Sequence, residues 1–258
     1  MLAGKPKPFP LRKMLDEARM PRLIFKHSLE CKMKSEGRQV KDLLYAQVAR
    51  IGKAVCSPKR LELIDLLCQG EKPVERLAAE AQISVKLASA HLKELRQAHM
   101  VEARKEGKHV YYRLTGEAVA DFWVAIRSLA EDRLLDLRAA LAKLAEHAHE
   151  LTPMSREELL ARAKRGDVIV LDVRPPSEYA SGHLPYAQSM PLEELKKRLA
   201  DLPRDKPVVA YCRGPFCLMS KEAVEYLNQE GFHAFRFEDG VAEWRAHGLP
   251  VEVEASAP

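Results

Sequence analysis

The chain has 258 residues, is 47% hydrophobic and 31% charged, and carries a formal net charge of +5. That length holds about two domains, and that balance is that of a globular chain able to bury cores. No run approaches the ~18 apolar residues of a membrane span, and no secretory h-region follows the basic N-terminus, so the sequence predicts a cytoplasmic protein with no membrane partner. The five cysteines, at 31, 56, 68, 212 and 217, are odd in number and lack zinc-finger spacing. They are expected as reduced thiols, with no metal and no cofactor.

The charge is uneven. Residues 1–32 carry a net +5, residues 33–150 a net +3 and residues 151–258 a net −3. A basic front and an acidic back imply modules with different partners. Residues 1–32 have three prolines in their first ten positions and no sustained period. They read as a basic, mostly disordered tail with room for one short helix.

From Asp42 the pattern turns helical, with Leu43, Leu44, Ala46, Val48 and Ile51 ahead of Gly52. Ser57-Pro58 has the form of a cap followed by a first-turn proline. The helix it starts has Leu61, Ile64, Leu67 and Cys68 as its inner stripe and stops at Gly70. A short helix spans Pro73 to Ala81, and Gln82-Ile83 turns. Ser84 then caps a helix to about Ala98, with Val85, Ala88, Leu92 and Leu95 inward. This order predicts a helix-turn-helix. Its second helix offers Lys86, Ser89, Ala90, His91 and Lys93 to a DNA major groove. Residues 101–104 and 109–114 alternate like strands about a turn at Lys105–Lys108. This hairpin is a wing that brings Arg104, Lys105, Lys108 and Arg113 to backbone phosphates.

Residues 117 to about 150 form one long helical pattern, from Val119, Phe122, Trp123 and Ile126 through Leu144 and Ala148. The stripe exceeds what a small winged-helix core covers. It predicts either a homodimer seam or a linker helix packed on a second domain. His147 and His149 point to different faces and do not make one metal site.

Three segments in order carry a family resemblance: Ile51 to Leu63, Ser84 to Leu95 with Ser89-Ala90-His91-Leu92-Lys93-Glu94-Leu95, and Gly107 to Leu114. With them, residues 33–150 resemble an ArsR-type winged-helix repressor. The resemblance implies a homodimer on a palindromic double-stranded DNA operator, released by a chemical signal. Metal-sensing members carry paired cysteines at the start of the third helix. Here that place is Glu71-Lys72-Pro73-Val74-Glu75, so the sequence argues against a metal sensor. Cys56 and Cys68 read as core fillers.

Thr152-Pro153 opens the second module. Ser155 to Glu158 resembles a capping box. Val168 to Arg174 is a buried strand, 192–200 a helix, Val208 to Tyr211 a strand, Met219 to Asn228 a helix, Phe235 to Phe237 a strand and Val241 to His247 a helix. Alternation of this kind predicts an α/β fold with a mainly parallel sheet, whose active loops sit at the carboxyl ends of the strands. Asp172, Arg174 and Cys212 lie there. The whole is therefore multidomain: a mainly α winged helix-turn-helix with a β-hairpin wing, then an α/β module over 152–252 and a short tail, 253–258.

This module is similar to a single rhodanese domain. The marks are Leu171-Asp172-Val173-Arg174 with Glu178-Tyr179, Gly182-His183-Leu184-Pro185, Tyr211-Cys212-Arg213-Gly214, Gly240-Val241-Ala242-Glu243-Trp244 and Gly248-Leu249-Pro250. The resemblance implies that Cys212 takes sulfur from a small sulfane-sulfur donor as a persulfide and hands it to a thiol acceptor or cyanide.

The residues themselves agree with that chemistry. A strand, a tight loop and a helix aim N–H groups and a positive helix end at Cys212, favouring the thiolate, and Arg213 adds positive charge. The plain alternative is a buried core cysteine. Asp172 and Arg174 read as an ion pair bracing the loop, with His183 and Glu178 also structural. A cysteine phosphatase needs Arg six positions after its nucleophile, and that position is Leu218. Cys217 either resolves a Cys212 persulfide into a disulfide or is a buried thiol in place of a hydroxyl. The sequence thus predicts a DNA-binding repressor that couples persulfide formation at Cys212 to transcription. The alternatives are a sulfurtransferase independent of DNA binding, or a winged helix turned to protein contact.

Overall fold

The computed structural model describes residues 22–145 and 154–254. His147, His149, most of the expected N-terminal tail and the last four residues lie outside them. The chain divides into two compact units, residues 1–53 and 54–258. The described part of the first is the body of helix α1, Arg22–Val55. That helix starts well before Asp42 and takes in residues 22–32, which the sequence reading assigned to a tail. Gly37 and Gly52 lie inside it. A helical glycine costs about 1 kcal/mol, which does not end a helix of 34 residues. Val40, Leu43, Leu44, Tyr45, Val48 and Ile51 are exposed along α1.

The second unit begins with the winged helix. Helix α2, Pro58–Leu67, has proline in its first turn as expected, but the Ser57 side chain makes no capping bond. Strand β1, Lys72–Pro73, leads into helix α3, Val74–Glu80. Gln82 takes a left-handed φ of 53° in the turn. Helix α4, Val85–Gln97, is capped by Ser84, whose Oγ accepts from the Leu87 N–H at 3.2 Å. The wing is β2, Val101–Glu106, and β3, His109–Leu114, antiparallel about Gly107 (φ 58°). The sheet order is β1-β3-β2. Leu63, Ile64, Leu77, Ala88, Leu92, Leu95 and Trp123 form the core. Val85, expected inward, is exposed, because it lies in the first turn of α4 beyond that core.

Helix α5, Glu117–Arg133, ends where the sequence pattern would continue. Leu134 is extended (φ −104°, ψ 106°), and helix α6, Leu135–Ala145, follows. Val119, Phe122, Trp123 and Ile126 pack on the winged-helix core, whereas Leu129, Leu134 and Leu135 are exposed. The break falls where that packing stops.

The C-terminal module starts with helix α7, Arg156–Arg165, capped by Ser155 and closed by Gly166 at φ 73°. Strand β4, Ile169–Asp172, helix α8, Pro176–Ser181, strand β5, Ala187–Ser189, and helix α9, Leu192–Arg198, follow. Strand β6, Val208–Tyr211, helix α10, Met219–Gln229, strand β7, Ala234–Arg236, and helix α11, Val241–Ala246, complete it. The four strands are parallel in the order β5-β4-β6-β7. Side chains of β6 alternate between two cores. Val208 and Ala210 pack with Val224 and Leu227, and Val209 and Tyr211 with Phe237 and Trp244. Burial on both faces is why this strand reads as an unbroken apolar run. Strand β5 has no such run and escapes the sequence reading.

Candidate functional site

Cys212 follows β6 directly and is buried at the mouth of the loop that leads into α10. Its Sγ lies 3.1 Å from Ser220 Oγ and 3.6 Å from the Cys217 carbonyl oxygen. Burial pushes this thiol up. Hydrogen bonds from the Cys217 thiol, from the Ser220 hydroxyl and from backbone N–H groups of Ser220 and Gly214 outweigh it, so the group is held below an ordinary thiol. The Cys217 thiol is pushed up, first by its bond to Cys212 and then by burial. One negative charge shared by two thiols therefore rests on Cys212. Gly240 backs the loop. A Cβ there would lie 2.5 Å from the Arg213 carbonyl carbon, so only glycine lets the two backbones meet.

Asp172 and Arg174 form an ion pair at 2.6 Å with both side chains fully buried. Asp172 also accepts from the Arg174 N–H at 3.0 Å and from Tyr211 Oη at 2.5 Å. Arg174 donates onward to the Gly182 carbonyl at 2.7 Å. Tyr211 precedes Cys212, so this network fixes the end of β6. His183 is stacked on Tyr179 and bonded to its carbonyl, in keeping with a packing role.

Arg213 is placed differently from the sequence expectation that its charge serves Cys212. Its guanidinium turns to Glu178, with Nε–Oε2 at 2.9 Å and Nη2–Oε1 at 2.5 Å, and to Glu80 of α3 at 2.8 Å. Lys72 Nζ reaches the same Glu178 carboxylate at 2.6 Å. Burial pushes that carboxyl up, but the two cations outweigh it and hold the group below the usual range. Gln69 of the winged helix accepts from Arg174 Nη1 at 3.0 Å and donates to the Arg213 carbonyl at 3.4 Å. Phe216 meets Trp123 edge-on, with centroids 6.2 Å apart, and Arg127 lies over the Phe216 ring at 5.6 Å. Glu243 bonds the Gly240 N–H at 2.6 Å and pairs with Arg127 at 2.8 Å. The sequence reading assigns no function to Gln69, Lys72, Glu80, Arg127 or Ser220, and places Trp123 only in the long apolar stripe. Glu243 stands inside a quoted motif, and Lys72 inside the Glu71–Glu75 stretch. Gln69, Glu80 and Arg127 sit on ordinary helices or just past their ends, and their partners in the second module lie far away in sequence.

The expected DNA-facing residues are on one helix and one wing. Lys86, Ala90 and Lys93 of α4 are exposed, and Ser89 and His91 are half-buried. Arg104, Lys105, Lys108 and Arg113 are exposed on the wing. Arg104 is engaged by Glu71 at 2.6 Å and by Glu106, and Arg113 by Glu102 at 2.6 Å. Exposed pairs of this kind are weak and leave both guanidinium groups within reach of solvent. Of the other thiols, Cys56 is exposed rather than a core filler, since it falls between α1 and α2. Cys68 packs on the winged-helix core, and burial, then the nearby Asp65 and Glu243 charges, push its thiol well up.

A winged helix joined to a parallel α/β module with a braced cysteine loop defines a transcriptional regulator with a rhodanese-like domain. The family model for the arsR family of bacterial regulatory proteins matches residues 57–103, and that for the rhodanese-like domain matches residues 155–247. The chain belongs to the HTH-type transcriptional regulators of the ArsR family that carry a C-terminal rhodanese domain. It is 42% identical to the HTH-type transcriptional regulator Rv0324 of Mycobacterium tuberculosis, over 82% of this chain and 93% of that protein. A sulfurtransferase of Allochromatium vinosum is 36% identical over 33% of this chain and 78% of its own length. Among solved structures, the homodimeric winged helix-turn-helix domain of a possible ArsR-family regulator from Mycobacterium bovis is 42% identical. It covers 36% of this chain and 87% of its own, with a TM-score of 0.35. A rhodanese-related protein from Thermoplasma volcanium is 33% identical over 38% of this chain and 94% of its own, with a TM-score of 0.34. No helix among the described residues is long and apolar enough to cross a membrane.

Proposed function

We propose that this regulator is a cytoplasmic repressor whose DNA binding is set by sulfur chemistry at Cys212. The observation that carries the reading is the hydrogen-bonded cradle of Cys212, which favours a thiolate in a buried loop. The Cys212 thiolate attacks the outer sulfur of a sulfane-sulfur donor such as thiosulfate. The donor S–S bond breaks, sulfite leaves with the electron pair, and the Cys212 persulfide forms. Cys217, hydrogen-bonded to Cys212, then attacks Cys212 Sγ. The bond to the sulfane sulfur breaks, and sulfide leaves with its electron pair and the Cys217 proton. Two thiols are oxidised to a disulfide as the sulfane sulfur is reduced to sulfide. An external thiol acceptor is the competing route. Asp172 and Arg174 brace the loop in this scheme. The scheme itself calls for no cofactor.

On the DNA side, Lys86, Ser89, Ala90, His91 and Lys93 face the major groove of a double-stranded operator. Arg104, Lys105, Lys108 and Arg113 bind its phosphates. The protein acts as a homodimer, in which a second copy covers the apolar side chains exposed on α1 and those exposed near the start of α6. Mass spectrometry after thiosulfate or polysulfide treatment tests the sulfur scheme. The expected product is one added sulfur at Cys212, followed by a Cys212–Cys217 disulfide. A persistent Cys212 persulfide with no disulfide removes the resolving role of Cys217, and no sulfur on Cys212 removes the scheme.

A further inference from the structure

The groups that hold the outer side of the Cys212 loop belong to the winged helix. Gln69, which is 2% exposed, spans the seam by accepting from Arg174 and donating to the Arg213 carbonyl. Its two bonds reach the brace of β6 and the backbone beside the nucleophile. Four charges lie next to it in a chain: Lys72 to Glu178 at 2.6 Å, Glu178 to Arg213 at 2.5 Å, and Arg213 to Glu80 at 2.8 Å. Lys72 and Glu178 are almost fully buried, and Glu80 and Arg213 are 18% and 15% exposed. Phe216, four residues beyond Cys212, seats on Trp123 and Arg127 of α5.

This chain of charges ends on Glu80, which also lies 4.0 Å from Lys72. Glu80 is the last residue of α3, and Ser84, the cap of the recognition helix α4, is four residues on. Between them Ala81 is fully buried and Gln82 is held at φ 53°. A tug on Glu80 is therefore delivered to the turn that sets the angle of α4. At the near end, a sulfane sulfur on Cys212 adds an atom about 2.05 Å from a buried Sγ already in contact with Ser220 and Cys217. The loop has to make room, and its movable outer residues, Arg213 and Phe216, are the ones fastened to α3 and α5.

We propose that Gln69 and the Lys72–Glu178–Arg213–Glu80 chain are positioning residues through which the winged helix sets the Cys212 loop and the loaded loop resets the recognition helix. This deepens the reading above, on which its DNA-facing half rests. Coupling of this kind is reciprocal, so what loosens the seam alters both ends.

The test uses the full chain and two readouts. The first is the pH profile of Cys212 alkylation by iodoacetamide, followed by peptide mass spectrometry, for wild type, Gln69→Leu, Glu80→Gln and Glu80→Asp. The expected result is a midpoint about one unit higher in Gln69→Leu and Glu80→Gln, a roughly tenfold loss of thiolate below it. Glu80→Asp, which keeps the charge, returns towards wild type. Folded variants, by circular dichroism, with the wild-type midpoint overturn the positioning role. A profile moved equally by Glu80→Asp and Glu80→Gln also overturns it, since it would report packing rather than charge. The second readout is the affinity for a duplex selected from random sequence, with and without polysulfide. The donor-dependent change seen in wild type is expected to disappear in Glu80→Gln. Its persistence there overturns the proposal. If wild type itself shows no change, the sensing function fails, and the alkylation profile alone still decides whether Gln69 and Glu80 position the loop.

Discussion

Cys68 and Cys212 stand in the two halves of the second unit, each withdrawn from solvent and each next to a helix end. Cys68 caps the carboxyl end of α2, with Asp65 and Glu243 nearby, and its thiol is pushed up. Cys212 precedes the amino end of α10 and receives hydrogen bonds from Ser220, Gly214 and Cys217, and its thiol is brought down. Burial raises both. At Cys212 the S–H, O–H and N–H donors outweigh it, whereas at Cys68 the nearby carboxylates add to it. A cysteine's place in a core therefore says little about its reactivity until the polar groups around it are counted.

The largest expected effect is at Cys212. Cys212→Ser should abolish transfer of sulfur from thiosulfate to cyanide, a fall on the order of a thousandfold or more, whereas Cys68→Ser should leave the rate near wild type. Comparable transfer by Cys212→Ser would end the contrast between the two thiols.

Next come the buried charges. Glu178→Ala leaves Lys72 and Arg213 without their shared carboxylate, and Asp172→Ala strands Arg174. Each should lower stability in urea by about 3–5 kcal/mol, against less than about 1 kcal/mol for Glu102→Ala on the exposed wing. The Glu178 pair also has a pH signature. Its folded carboxyl is held below the ordinary value of 4.5, so its contribution is full above that value and is lost as pH falls through the lowered one. Glu178→Gln should flatten the acid limb of the stability curve, which a wild-type acid limb in that variant would contradict.

A pH series of alkylation sharpens the contrast further. Cys212 should react at a pH below that of an ordinary thiol, and Cys68 only well above it. Ser220→Ala removes one donor, an interaction of about 1 kcal/mol, and should raise the Cys212 midpoint by up to about one unit. The smallest effect is on the DNA side. Lys93→Ala should weaken binding to all duplexes alike and reduce the salt slope by about 1, as measured by fluorescence anisotropy across a salt series.

Much of this was legible in the sequence, for physical reasons. Ser84 and Ser155 announce helix starts because a hydroxyl at that place serves a free N–H. The apolar run at Val208–Tyr211 announces a strand buried on both faces, and the loop after it is short enough for its cysteine to be placed. What stayed hidden is tertiary. Leu134 interrupts a helix with no glycine or proline to signal it. Ser57 has the form of a cap and does not bond as one. Arg213 sits beside Cys212 in sequence, yet two carboxylates claim its guanidinium, and neither is a sequence neighbour. Gln69 and Glu80 lie on an ordinary helix end and an ordinary helix, and only the fold brings them to the Cys212 loop.

In the proposed coupling, sulfur on Cys212 is felt at the DNA. Its most direct test is an anisotropy titration of the full chain against a duplex selected from random sequence, with and without a sulfane-sulfur donor, for wild type and Cys212→Ser. The donor is expected to weaken binding by wild type and to leave Cys212→Ser unchanged. Equal affinities for wild type with and without the donor, or an equal loss in Cys212→Ser, would contradict it.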